Sequence, residues 1–258
     1  LAGSGFDGFV DFVAGLFYFN EEGDYINTQM IDLFELNQQF YTEIDNTSLA
    51  AFGEVSLHVT DRFTTSLGVR YTDEEREQNH RVTLDGGAGF TYLDTFAQTY
   101  GGYPTPIPTE IEDTGLSPRV SLNYQWTDDL MSYVSYTRGF KSGGFNARST
   151  TPLQWGPYDD MQVDSYEAGV KSMWLDNRLR FNMSVFYEDL SDMQTQVNAV
   201  DPGSQGGYST VVQNAASATI KGLELETIVM LVPGLDITAG YGYVDPEYDE
   251  FLSFDNIS

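Results

Sequence analysis

Residues 63–72, FTTSLGVRYT, alternate without a break between two kinds of side chain. Phe63, Thr65, Leu67, Val69 and Tyr71 form one row, and Thr64, Ser66, Gly68, Arg70 and Thr72 form the other. An extended strand sorts its side chains this way, because successive Cβ atoms point to opposite faces. The pattern recurs along the chain. Gly53, Val55, Leu57 and Val59 alternate with Glu54, Ser56 and His58; Val120, Leu122, Tyr124 and Trp126 alternate with Arg119, Ser121, Asn123 and Gln125. Tyr166, Ala168 and Val170 alternate with Ser165, Glu167, Gly169 and Lys171; Leu179, Phe181, Met183, Val185 and Tyr187 alternate with Arg180, Asn182, Ser184 and Phe186. Leu223 and Leu225, and then Ile237, Ala239, Tyr241 and Tyr243, repeat it near the end. The pattern predicts about nine strands, from near Phe9 to near Tyr248.

The connections alternate as well. Short turns fall at Thr60-Asp61-Arg62, Thr127-Asp128-Asp129, Asp176-Asn177 and Pro233-Gly234, all built from turn-forming residues. Between them lie long polar segments, 20–46, 77–114, 141–163 and 191–217, read as loops. Short turns at one end and long loops at the other are the rhythm of an up-and-down transmembrane β-barrel. Trp126 and Trp174 sit beside short turns on the apolar row, where an inner aromatic girdle belongs; Tyr71 and Tyr187 lie toward the loop ends, as an outer girdle would. The other row carries Glu54, Arg70, Arg119, Glu167, Lys171, Arg180, Glu188, Glu224 and Glu226. Charges cannot face lipid cheaply, but a wet or plugged lumen accepts them. A soluble antiparallel sandwich with one solvated face is the competing reading of the same alternation.

Composition narrows the function. The 39 acidic and 12 basic side chains leave a net charge of −27, the wrong sign for a phosphate-binding surface, so a nucleic-acid partner is excluded. There is no cysteine, and His58 and His80 are the only histidines, which removes thiolate and His-rich metal sites. The acidic runs 20–46 and 73–85 supply oxygen ligands that could hold Ca²⁺, yet neither matches an EF-hand loop, and the plainer reading is solvated charge. No apolar run approaches the length of a membrane-spanning helix; FVAGLFYF, at 12–19, is among the longest. GSGFDG, at 3–8, spells a dinucleotide fingerprint but neither follows a strand nor opens a helix. No nucleophile and base fall in a catalytic context, so neither an enzyme nor a bound cofactor is expected.

Four segments then carry a resemblance. FGEVSLHVTDRFTTSLGVRYTDEER (52–76), YVSYTRGFKSGGFNAR (133–148), DSYEAGVKSMWLDNRLRFNMSVFYEDLSDMQ (164–194) and NAASATIKGLELE (214–226) resemble, in this order, wall segments of TonB-dependent outer-membrane receptors. The resemblance covers the chain from about Phe9 to Phe251. It implies a Gram-negative outer membrane, lipid around the wall, and uptake of a scarce small molecule, a ferric siderophore by default. Energy would come from the TonB complex through an N-terminal plug domain. Such receptors close at about 22 strands, so residues 1–258 are read as an internal piece of the barrel domain, without the plug and without the C-terminal strands. The basic N-region of a signal peptide is also missing from LAGSGFDGF.

The glycine-rich exit at 139–148 holds the candidate site. Gly139, Gly143 and Gly144 are expected to let the chain leave the wall. Arg138, Lys141, Asn146 and Arg148 are the candidates to face substrate or plug at an otherwise acidic mouth; turn chemistry with a salt bridge to the acidic loops is the plainer alternative. A structural or adhesive barrel without active transport is the competing function.

Overall fold

Each alternating segment pairs with its neighbour in the chain. The computed structural model describes residues 1–31, 36–85, 90–101, 103–204 and 207–252. The strands are β1 (Ala2–Gly5), β2 (Val10–Ile31), β3 (Leu36–Thr60), β4 (Phe63–Asp85), β5 (Phe90–Asp94), β6 (Thr99–Tyr100), β7 (Tyr103–Pro104), β8 (Glu110–Thr127), β9 (Leu130–Lys141), β10 (Met161–Trp174), β11 (Leu179–Val200), β12 (Tyr208–Val232) and β13 (Leu235–Phe251). A short helix, α1 (Pro152–Trp155), interrupts them. The main path runs β1-β2-β3-β4-β8-β9-β10-β11-β12-β13, with β5, β6 and β7 branching from β4. Among the described residues every pairing along this path is antiparallel. β1 and β13 form the two edges of this path, so the meander is an open wall, part of a barrel.

Register fixes the two faces. Gly68 pairs with Glu54 and Arg119, Arg119 with Thr137, Thr137 with Ser165, and Ser165 with Glu188. This polar row lies on the inner face. Leu67 pairs with Val55 and Val120, and Val120 continues to Tyr136, Tyr166 and Tyr187 on the outer face. Outer side chains such as Leu67 and Val134 remain 49% exposed, as lipid-facing groups must. Trp126 and Trp174 border the apolar band beside the short turns, each donating its indole N–H to a serine hydroxyl at 2.9 Å. Tyr136, Tyr166 and Tyr187 border it at the other end, with ring centroids 5.1 and 6.3 Å apart. From Trp174 back to Tyr166 is eight steps within β10, which at about 3.3 Å per residue and a tilt of about 40° gives an apolar band roughly 20 Å tall.

One expectation changes. The nine long strands match the count read from the sequence, but segments 20–46, 77–114 and 191–217 are not loops for most of their length. β2 and β3 stay paired from Val10↔Leu57 to Ile31↔Leu36, β4 runs to Asp85, and β11 and β12 pair to Val200↔Tyr208. Beyond the girdle both faces meet water or folded loops, so the apolar alternation fades while the backbone ladder continues. Asp32 and Glu35 of the acidic run, and the last six residues of the chain, lie outside the described residues.

The core sits on the inner side of this extension. Phe40, Val82, Leu93, Ile107, Phe145 and Trp155 form one buried cluster, drawn from β3, β4, β5 and the connections after β7 and β9.

Candidate functional site

The segment between β9 and β10, 142–160, folds inward over the wall as a strap. Its first residues are held by β4 and β8. The buried Ser142 hydroxyl donates to Glu74, and Arg76 Nη1 donates to the Gly143 carbonyl at 3.0 Å while Nη2 donates to Glu74 at 3.1 Å. The Gly143 N–H donates to Asp113 at 2.9 Å. From the other side, Gln194 donates to the carbonyls of Ser142 and Asp159, each at 2.9 Å. Asn214 donates to the carbonyls of Asp159, Asp160 and Asp192 at 2.8–3.0 Å and accepts the Asp159 N–H at 2.8 Å.

These bonds bring two runs of backbone into contact. Gly144 and Tyr158 exchange a pair of 3.0 Å hydrogen bonds. A Cβ on Gly143 would lie 2.2 Å from the Tyr158 carbonyl oxygen, and one on Gly144 would lie 2.8 Å from the Tyr158 hydroxyl. The double glycine is therefore required by close approach of the returning chain. Gly139 is different: β9 runs straight through it, and a Cβ there would meet nothing within 4 Å. Its expected part in leaving the wall is corrected accordingly.

Farther along, Thr151 caps α1 by accepting the Gln154 N–H at 3.2 Å. Trp155 is fully buried and donates to the Pro108 carbonyl at 2.7 Å. Its ring stacks between Phe145 and His80, with centroids at 4.8 and 5.0 Å. His80 bonds the Ser149 carbonyl through Nε2 at 3.0 Å and the Thr42 hydroxyl through Nδ1 at 2.7 Å. A carbonyl only accepts, so Nε2 carries the proton and Nδ1 accepts from Thr42. Burial pushes the His80 pKa down to about 4, against the Ser149 carbonyl and Asp94, which favour the charged form. Asp201 ties in the neighbouring loop, accepting from Thr151 and Ser209 at 2.6 Å each, while Tyr100 donates to the Gly203 carbonyl at 2.5 Å.

The clamp carboxylates differ in charge preference. Burial pushes Glu74 up, but the Ser142 hydroxyl and Arg76 outweigh it and hold it below its ordinary value. Burial raises Asp113, and the Gly143 N–H offsets only part of that. On the outer face of the extension Asp73, Glu75 and Glu77 pair in register with Thr114, Glu112 and Glu110. Glu75 is pushed up, first by Glu110, as like charges side by side dictate. Among the described residues no group of three or more His, Cys, Asp or Glu side chains is placed to hold a metal ion.

The four sequence candidates are divided by this geometry. Arg138 pairs in register with Asp164 on the outer row, beside Tyr136. Its guanidinium donates twice to that carboxylate, at 2.8 and 2.7 Å, and Tyr136 donates to it at 2.6 Å. Lys141 is the exposed last residue of β9. Asn146 and Arg148 come together on the strap, where the Asn146 side chain accepts the Arg148 N–H at 3.0 Å. Arg148 Nε reaches the Tyr25 hydroxyl at 3.4 Å. Sequence reasoning missed the anchors Glu74, Arg76, Asp113, Gln194 and Asn214. Parity would have found two of them: Glu74 and Arg76 continue the inner row of Arg70 and Thr72.

The profile of the "TonB dependent receptor-like, beta-barrel" family matches residues 3–257. The pesticin receptor of Yersinia enterocolitica is 28% identical over 228 residues, 87% of this chain and 30% of that protein. The metal-pseudopaline receptor CntO of Pseudomonas aeruginosa is 25% identical over 207 residues, 80% of this chain and 25% of that protein. Among solved structures, the ferric yersiniabactin uptake receptor FyuA of Yersinia pestis superposes with a TM-score of 0.76 at 23% identity, covering 97% of this chain and 35% of that one. The siderophore receptor PiuA of Acinetobacter baumannii superposes with a TM-score of 0.62 at 18% identity, covering 97% and 37%. The chain thus spans about a third of the length of these proteins or less.

Proposed function

This chain belongs to the TonB-dependent receptor β-barrel family of the Gram-negative outer membrane, and on that premise we propose that it forms part of the wall of an active-transport receptor. The receptor takes up a scarce small molecule, by default a ferric siderophore, with energy delivered by the TonB complex through a plug domain encoded elsewhere in the same polypeptide. Residues 1–258 are one part of the barrel domain, surrounded by outer-membrane lipid on the outer row. No catalytic role is assigned to it.

One observation carries the reading: the wall is two-sided, apolar and girdled outside, polar inside, with a strap folded over the inner side of its extension. A purely structural barrel has no need of a pinned strap on its inner side. Lys141, Asn146 and Arg148 are the groups proposed to meet an anionic ligand or the plug at the mouth. Arg138 is assigned to the wall, because its guanidinium is committed to Asp164 on the outer row.

The test is uptake of radioactive iron from a panel of ferric chelates by iron-starved cells, with and without the gene, and with and without a working TonB. Uptake of one chelate that needs both is the expected result. If no chelate depends on the gene, the transport reading falls and a non-transport barrel takes its place.

A further inference from the structure

The ladder between β8 and β9 stops short of the mouth. It ends at Arg119↔Thr137, while β8 continues beside β4 to Glu110 and β9 continues beside β10 to Lys141. The backbone explains the place. The Gln125 N–H donates to the Arg62 carbonyl and the Gln78 N–H to the Thr109 carbonyl, each at 2.7 Å, so odd positions along β8 turn their backbone groups to β4. Even positions turn theirs to β9. Pro118 is the even position next above Val120, and it has no N–H to give. Above it the Phe140 ring fills the space that a Gly115 side chain would need. Past that point β9 ends and the chain turns inward as the strap.

Glu110, Glu112 and Thr114 thus keep N–H and C=O groups on a free sheet edge, and all three are exposed. Among the described residues no strand pairs with that side of them. The strap does not cover it: its bonds to β4 and β8 run through the inner-row side chains Glu74, Arg76 and Asp113. β8 and β9 adjoin through their own turn, so no strand from elsewhere in a barrel falls between them. The edge also has a chemical preference. Glu110 and Glu112 project from the outer row beside Glu77 and Glu75, and the crowding already pushes Glu75 up. These four carboxylates repel a second copy of a chain whose net charge is −27 and attract a strand of opposite sign. On the inner row Asp113 is engaged by the Gly143 N–H and the space at Gly115 is taken by Phe140, so only small side chains fit inward.

We infer that the edge of β8 at Glu110, Glu112 and Thr114 is a docking site for an extended basic peptide, added as one more antiparallel strand with cationic side chains outward and small ones inward. The edge lies on the loop side of the tyrosine border, so the peptide arrives from the cell exterior. The inference does not depend on what the wall transports.

The probe is the peptide Lys-Ser-Lys-Ser-Lys-Ser-Lys carrying a fluorophore, titrated into the intact receptor in neutral detergent and followed by fluorescence anisotropy. In an antiparallel pair its lysines lie opposite Glu110, Glu112 and Thr114 and turn their N–H groups to the edge, whereas its serines turn theirs away. Backbone N-methylation at the lysines is expected to weaken binding about tenfold or more, and at the serines less than about twofold. The two modified peptides carry the same charge, so charge attraction alone cannot separate them. Glu110→Gln combined with Glu112→Gln should weaken the probe about fivefold. Thr114→Pro removes an edge N–H at the parity where Pro118 is already accommodated, and should also weaken it about fivefold. Heat-modified gel mobility verifies that each variant is folded; should one not fold, the two N-methylated peptides on the wild type still decide. Absent binding in the wild type overturns the docking site, as does equal affinity for the two N-methylated peptides, which leaves charge attraction only. A dimer in sedimentation that Thr114→Pro abolishes gives the edge to a second copy and overturns the basic strand.

Discussion

Replacing Gly143 with alanine tests the account of the strap at one methyl group. The added Cβ would sit 2.2 Å from the Tyr158 carbonyl oxygen and 3.1 and 3.2 Å from backbone atoms of Asp159. The obstacle is backbone, so it cannot rotate away. Reaching ordinary contact distance requires the two runs to part by about 1 Å. That breaks the Gly144–Tyr158 pair of 3.0 Å hydrogen bonds. Two such bonds at about 1 kcal/mol each, with overpacking strain of the same order, give a local cost on the order of 3 kcal/mol. Amide exchange measured by mass spectrometry on the receptor in detergent reads this directly, since about 1.4 kcal/mol is tenfold in an opening equilibrium. Exchange in 142–160 should rise roughly a hundredfold, with the strands of the wall unchanged. Gly139→Ala, where nothing lies within 4 Å, should leave exchange at the wild-type level. If Gly143→Ala exchanges within twofold of Gly139→Ala, the strap is not pinned by backbone contact and the reasoning is wrong.

Three further outcomes are expected. The His80 pKa is near 4 in the fold and 6.5 when unfolded, so the unfolded state binds the extra proton between those values. Strap stability should therefore be full above about pH 6.5 and fall on the order of 3 kcal/mol as pH drops toward 4; exchange measured across that window should steepen in wild type and flatten in His80→Phe. Trp155→Ala empties the centre of the buried cluster at a cost of about 3–5 kcal/mol, and limited proteolysis should then cut within 142–160 while heat-modified mobility shows the barrel intact. Val134→Arg places a charge on the apolar outer row and should cost about 2–4 kcal/mol in refolding from urea into lipid vesicles. Ser135→Arg, one residue away on the inner row, should cost far less, and equal costs would invert the assignment of faces.

Much of the wall was legible because burial in a membrane is one-sided. Leu67, Val120 and Val134 had to fall on one row, and the Trp and Tyr borders followed from that parity. The extension beyond the girdle was not legible. Its residues, such as Glu43, Asp45, Glu75 and Glu77, look like loop in a hydropathy reading, yet they pair in register because a backbone ladder needs only N–H and C=O groups. Of the candidate site the sequence offers residue types, and only the structure gives their places. Arg138, Lys141, Asn146 and Arg148 were picked as cations and a polar group near glycines, and the register then sent Arg138 to the outer row.

The sequence by itself determined the strand period, the lipid-facing row, the turn positions and the family, since each depends on neighbours within a few residues. Only the tertiary structure decided what the double glycine is for. Gly143 meets Tyr158, Ser142 meets Glu74, and His80 meets Ser149, contacts that join residues 15 to 69 apart in the chain. Such contacts depend on where a strand of fixed register delivers each side chain, and local sequence holds no record of that.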